Sequence, residues 1–120
     1  MVESSPAHLD SLFHALADTT RRAILRDLTL REKTVGEIAQ PFAISLAAVS
    51  KHLKVLEAAD LIERQRRGSF QVVRLNAPSL KPATEWLGFY DKFWNSALDR
   101  LQTHLEAVHL TPISKEKLKP

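Results

Sequence analysis

Leu9, Leu12, Phe13 and Leu16 recur at intervals of three and four, so the chain opens on a helix, expected over 8–17, with one apolar stripe. Asp18 then supplies an N-cap for a second helix carrying Ala23, Ile24, Leu25 and Leu28. Thr34 and Glu37, three positions apart, form a capping box that starts a third helix, with Val35, Ile38 and Ala39 turned inward. Pro41 stops it. Ser45 caps a fourth helix, 45–58, whose apolar positions are Leu46, Val49, Leu53 and Leu56.

After Leu61 the period shortens from 3.6 towards 2. The stretch 62–75 reads as two short strands around Gly68, with Arg67 and Ser69 at the tip and Phe70 and Val72 on the packed face. Pro78 and Pro82 open a long final helix, expected over 78–109. Leu80, Leu87, Trp94, Leu101 and Val108 fall every seven residues, and Ala83, Tyr90 and Ala97 follow the first three of them by three. Leu98 and Leu105 widen the surface on one side, Trp86 and Phe93 on the other. That surface is broader than one packing seam needs, which points to a second copy of the chain. The expected homodimer contacts are Leu9, Leu12, Phe13, Leu87, Tyr90, Trp94, Leu98, Leu101 and Leu105.

The pattern is mainly α with a small β-hairpin. The pair 34–41 and 45–58 has the proportions of a helix-turn-helix, and the following hairpin makes it a winged one. Taking Ser45 as zero, Leu56, Val49, Leu53 and Leu46 fall within roughly 20–100° around the helix, the core arc. Glu57, Ser50, Lys54, Ala47, Ala58 and Lys51 fall within roughly 120–240°, facing outward. At its N-terminal end this outer face is small or cationic, without a carboxylate that would repel phosphate. Ala47 can meet a thymine methyl, as can Leu46 where its edge position leaves it accessible, Ser50 can donate or accept, and Lys51 can reach guanine acceptors or phosphate. Lys54 suits backbone phosphate, Arg64, Arg66 and Arg67 either grip phosphates beside the groove or enter the minor groove, and Ser69 at the wing tip joins the DNA-facing set. His52 projects to about 340°, beside Leu56, where it either buttresses the helix or touches phosphate.

Charge sharpens this reading. Net charge is +3, but residues 45–74 hold six basic against three acidic side chains, while 1–44 hold five against six. The excess in the folded part thus coincides with the helix and hairpin that would face DNA. At 44% hydrophobic and 26% charged the chain suits one domain over 1–120. It has no cysteine, hence no disulfide and no thiolate metal site. Neither an apolar span nor a secretory pattern in MVESSPAH is apparent, so a cytoplasmic protein away from membranes is expected.

The stretches LFHALADTTRRAILRDL, TVGEIAQPFAIS and AAVSKHLKVLEAADLIERQRRG resemble the ArsR-type winged helix-turn-helix repressors, and the resemblance runs over about 9–108. It is nearest to a cysteine-free branch ending in a helix with Trp86, Leu87, Tyr90, Phe93 and Trp94. The resemblance implies a dimeric repressor on double-stranded DNA at a short inverted repeat, with base contacts at Leu46, Ala47, Ser50 and Lys51. The chain departs from the family pattern at Thr19, where proline usually follows the aspartate, and at Ala43 in the turn.

No cofactor and no catalytic role are expected. The chain lacks a glycine-rich phosphate loop, G-x-S-x-G and H-E-x-x-H. Ser50 and His52 diverge by about 200° around the helix and cannot pair as nucleophile and base. The metal-sensing relatives use cysteines or Asp/His/Glu sets. Here Asp99, His104, Glu106 and His109 are the hard ligands available, and the two histidines lie about 140° apart around a helix. A metal-responsive repressor with ligands in this helix is one alternative, and a winged-helix module that binds protein without DNA is another. The inducer is not specified by any residue pattern.

Overall fold

The computed structural model describes residues 6–108. In chain order they form α1 (Pro6–Leu16), α2 (Thr19–Leu28), β1 (Lys33–Thr34), α3 (Val35–Ala39), α4 (Leu46–Ala58), β2 (Ile62–Arg67), β3 (Phe70–Leu75), a 3-10 turn (Ala77–Leu80), α5 (Lys81–Gly88) and α6 (Asp91–Ala107). The chain divides into two compact units, one ending at Ala83 and the other starting at Thr84.

In the first unit the starts of α2, α3 and α4 are each built as the expected side-chain cap. Asp18 Oδ2 accepts the Arg21 N–H at 3.0 Å. Thr34 Oγ1 accepts the Glu37 N–H at 3.2 Å, and Glu37 Oε1 accepts the Thr34 N–H at 2.9 Å, completing the capping box. Ser45 Oγ accepts the Ala48 N–H at 3.1 Å. These bonds satisfy amide groups that a helix start leaves without partners. They also fix the rotational phase of the helices, so that Leu12 and Ala15 of α1, Ile24, Leu25 and Leu28 of α2, Ile38 of α3 and Val49, Leu53 and Leu56 of α4 meet in one core. Val49, Leu53 and Leu56 are fully buried, at spacings of four and three that bring them to one face.

The sheet has three strands in the order β1-β3-β2, not the bare hairpin expected. The short β1 pairs antiparallel with β3 through Lys33 with Val73 and Thr34 with Val72. The hairpin is in register from Ile62 with Leu75 to Arg67 with Phe70. Gly68, at φ +62°, takes the first central position of the two-residue loop Gly68-Ser69, a conformation that a side chain would strain. The packed face corrects the sequence expectation. Val73 is fully buried, whereas Phe70 is 62% exposed. Alternation therefore turns the odd-numbered Val73 inward, opposite Arg64, and leaves Phe70 and Val72 on the other face.

The C-terminal end of α4 closes in a Schellman arrangement. The Leu61 N–H bonds the Leu56 carbonyl at 3.0 Å and the Asp60 N–H bonds that of Glu57 at 2.9 Å, with Asp60 at φ +60°. Asn76 clasps this corner. Its backbone N–H reaches the Leu61 carbonyl at 2.8 Å, and its Nδ2 reaches the Asp60 carbonyl at 2.8 Å and Ser79 Oγ at 2.9 Å.

The second unit holds the rest of α5 and α6. The continuous helix expected over 78–109 is broken between Gly88 and Asp91. Phe89 and Tyr90 bond back only three residues, to Trp86 and Leu87. Gly88 is a poor helix former and sits where the ladder fails. Pro78 belongs to the preceding 3-10 turn, and Pro82 is buried in the first turn of α5. Trp86, Phe89, Tyr90 and Phe93 form a chain of ring contacts with centroids 5.0–6.4 Å apart. Among the described residues no helix is long and apolar enough to cross a membrane.

Candidate nucleic-acid interface

The surface of α4 is sharply divided. Opposite the buried Val49, Leu53 and Leu56, the side chains of Ala47, Lys51, Lys54, Glu57 and Ala58 are exposed, and Ser50 is half-buried. Leu46, placed by the wheel at the margin of the core arc, is 61% exposed and joins the outer face instead. It stands in the first turn, one turn before the buried row begins at Val49. Lys51 and Lys54 have no carboxylate within ion-pair distance among the described residues.

Between α4 and the wing runs an open groove of about 400 Å³, lined by Thr34, Gly36, Ser50, Arg64, Ser69 and Phe70. Three of the residues expected to face DNA, Ser50, Arg64 and Ser69, are thus brought to one groove. Arg66 lies on the exposed wing, its Nε donating to the Gly68 carbonyl at 3.3 Å.

Two arginines are less free than the sequence implied. Arg64 faces the packed side of the sheet, opposite Val73, because register puts it there. Its side chain is 18% exposed, with Nε 3.4 Å from Glu57 Oε1 at the end of α4. Arg67 pairs with Glu32 through Nη1 and donates from Nη2 to Gln65 Oε1 at 3.0 Å. Composition alone does not reveal such pairings, since Glu32 and Arg67 are 35 positions apart and meet only because β1 joins β3.

His52 is turned into the protein. Its Nδ1 lies 3.4 Å from Arg21 Nη1 and 3.8 Å from Asp18 Oδ2. Arg21 in turn donates from Nε to the Ala15 carbonyl and from Nη2 to the His14 carbonyl, both at 2.8 Å, closing the end of α1. The Arg21 N–H bonded to Asp18 holds that carboxyl below the usual carboxylate range, and the nearby His52 and Arg21 add to the effect. His52 therefore buttresses α4 against the junction of α1 and α2, and its assignment to the DNA-facing set is corrected. Arg21 went unnoticed in the sequence, although its place three residues after the Asp18 cap is the signal that finds it.

The expected dimer contacts divide as well. Leu87, Tyr90, Trp94 and Leu101 are exposed, at 43–53%. Leu9 and Phe13 are partly buried against the core, and Leu105 is half-buried. Leu12 is fully buried in the core and Leu98 is 8% exposed, so neither is available to a second copy. Among the described residues no group of three or more His, Cys, Asp or Glu is placed to hold a metal ion. His109 lies outside the described residues.

A helix-turn-helix domain model matches residues 16–65, the segment from the end of α1 through α4 into the wing. The chain is 38% identical over 85 residues to the transcriptional repressor SdpR of Bacillus subtilis (strain 168), spanning 70% of this chain and 94% of that protein. It is 40% identical over 89 residues to the HTH-type transcriptional regulator Rv2034 of Mycobacterium tuberculosis, spanning 74% of this chain and 80% of that one. A crystal structure of an ArsR family transcriptional regulator superposes with a TM-score of 0.70 at 33% identity, covering 77% of this chain and 95% of the other. These relatives are regulators of transcription. The capped helix pair, the wing behind it and the close relatives together place the chain in the ArsR family of winged helix-turn-helix, DNA-binding transcriptional regulators.

Proposed function

We propose that the protein acts as a homodimeric repressor that binds an inverted-repeat operator in double-stranded DNA through α4 and the wing. Within the operator α4 enters the major groove. Ala47, Ser50 and Lys51 face base edges, with Leu46 beside them, and Lys54, Arg66, Arg67 and Ser69 hold backbone phosphate. One observation carries this reading: exposed Lys51 and Lys54 stand without an ion-pair partner among the described residues, beside small residues on the face of α4 opposite its core. Small side chains permit close approach to the groove floor, and cations without an internal partner are available to DNA.

The second copy is supported by the apolar surface of the C-terminal helices. Trp86, Leu87, Phe89, Tyr90, Phe93, Trp94 and Leu101 are each 43–57% exposed, a concentration of large apolar groups that marks an interaction surface. Twofold symmetry then sets half-sites about one helical turn apart. Repression accords with relatives named as repressors, SdpR and the arsenical resistance operon repressor of Bacillus subtilis. A regulator of this kind works in the cytoplasm, where the DNA is.

Selection of bound duplexes from a random library tests the proposal, followed by titration of the selected duplex at two salt concentrations. An inverted repeat bound with steep salt dependence is expected. Absent or salt-insensitive binding overturns it and favours a module that binds protein alone.

A further inference from the structure

We propose that Glu32 competes internally with DNA phosphate for the wing arginine Arg67, lowering the affinity of the free protein for every duplex. The inference rests on the DNA-binding reading and adds a residue outside the helix-turn-helix and the wing. Glu32 immediately precedes β1, and the pairing of Lys33 with Val73 carries it to the sheet edge next to the wing. There its carboxylate takes Arg67 Nη1, while Gln65 Oε1 takes Nη2 at 3.0 Å. The guanidinium fork is thereby turned along the sheet towards Glu32 and Gln65.

The pair is exchangeable. The Arg67 and Glu32 side chains are 49% and 39% exposed, so solvent screens their attraction. A phosphate oxygen offers the same guanidinium an equally charged acceptor. Binding therefore trades one anion for another at Arg67, and the net gain is the difference between them. Arg66, on the same hairpin, bonds the Gly68 carbonyl and meets no carboxylate among the described residues, so it bears no such penalty. Glu32 acts through Arg67 and is a positioning residue.

A double-mutant cycle on DNA binding tests this. Fluorescence anisotropy with one labelled random-sequence duplex compares wild type, Glu32→Gln, Arg67→Ala and the double variant, each checked for folding by thermal melting. Glu32→Gln tightens binding about two- to fivefold, the equivalent of an exposed ion pair. In the Arg67→Ala background the same substitution changes nothing. Equal tightening in both backgrounds means general charge repulsion and overturns the proposal, as does an unchanged or weakened Glu32→Gln. Wild type that binds no duplex overturns the DNA-binding reading and the proposal with it, an outcome distinct from those.

Discussion

His52 Nδ1 lies 3.8 Å from Asp18 Oδ2, so the helix that would read DNA is tied to the residue that caps α2. Removing the imidazole should loosen that tie without altering what α4 presents outward. His52→Ala is expected to destabilise the fold by about 1 kcal/mol, shifting the melting temperature by about 4–8 °C. The relative affinities for different duplexes should stay as in wild type. Melting curves and competition binding check both, and an unchanged melting temperature with uniformly weaker DNA binding restores His52 to the phosphate-contacting set.

On the outer face of α4, Ala47→Glu places a carboxylate where close approach is needed. It is expected to abolish operator binding while leaving the melting temperature near wild type, because Ala47 is exposed. Lys54→Ala should instead weaken binding to all sequences and reduce the salt slope by about one unit. An Ala47→Glu variant that keeps operator affinity removes α4 from the reading role.

In the second unit, Trp94→Glu puts a charge on a surface already 53% exposed in the single chain. The substitution costs the isolated chain little and a dimer much. Sedimentation equilibrium at micromolar concentration is expected to show a dimer for wild type and a monomer for the variant. A monomeric wild type refutes dimerisation, and the inverted repeat falls with it.

Glu37 is held at about 2 by its bond to Arg31, at 2.8 Å, and by the Thr34 N–H. Because the folded value lies below the ordinary 4.5, its charged form contributes stability that is fully present above that value. The contribution is lost as pH falls through about 2. Glu37→Gln keeps the capping acceptor but not the charge. The variant should therefore melt below wild type at neutral pH and converge with it in strong acid, while the Glu37 carboxyl titrates near 2 by NMR. A constant gap across that range contradicts the assignment.

Asp60 adopts φ +60° at the end of α4, a conformation that favours glycine. Asp60→Gly is expected to stabilise by up to about 1 kcal/mol, since the helix end relies on backbone bonds that glycine keeps. Denaturant unfolding measures it.

Much of this architecture was legible before any coordinates. Asp18, Thr34 with Glu37, and Ser45 each announce a helix start through local chemistry, and all three caps are present. The buried positions Ile24, Leu25 and Leu28 of α2 and Val49, Leu53 and Leu56 of α4 follow from periodicity alone, whereas Leu46 does not. Several of the misreadings depend on partners distant in sequence. Register with β2 decides that Val73 rather than Phe70 is buried. The two-residue β1 is too short to show a period, and without it neither the third strand nor the meeting of Glu32 with Arg67 can be foreseen. Leu12 and Leu9 carry the same apolar signal, and only packing separates the fully buried one from its half-buried neighbour. The seven-residue spacing across 80–108 ran through Gly88 unbroken, since such a pattern carries no mark of where the backbone gives way.

The division of α4 into an inward row and an outward row has an evolutionary meaning. Val49, Leu53 and Leu56 anchor the helix, and truncating either leucine to alanine costs about 2–5 kcal/mol. Ala47, Lys51 and Lys54 are exposed, and exchanges at such positions usually stay within about 0.5 kcal/mol. Specificity can therefore drift while the scaffold stands still. On the proposed reading, a descendant of this protein, or an engineer, retargets it to a new operator by rewriting a handful of outward positions, with no compensating change in the interior.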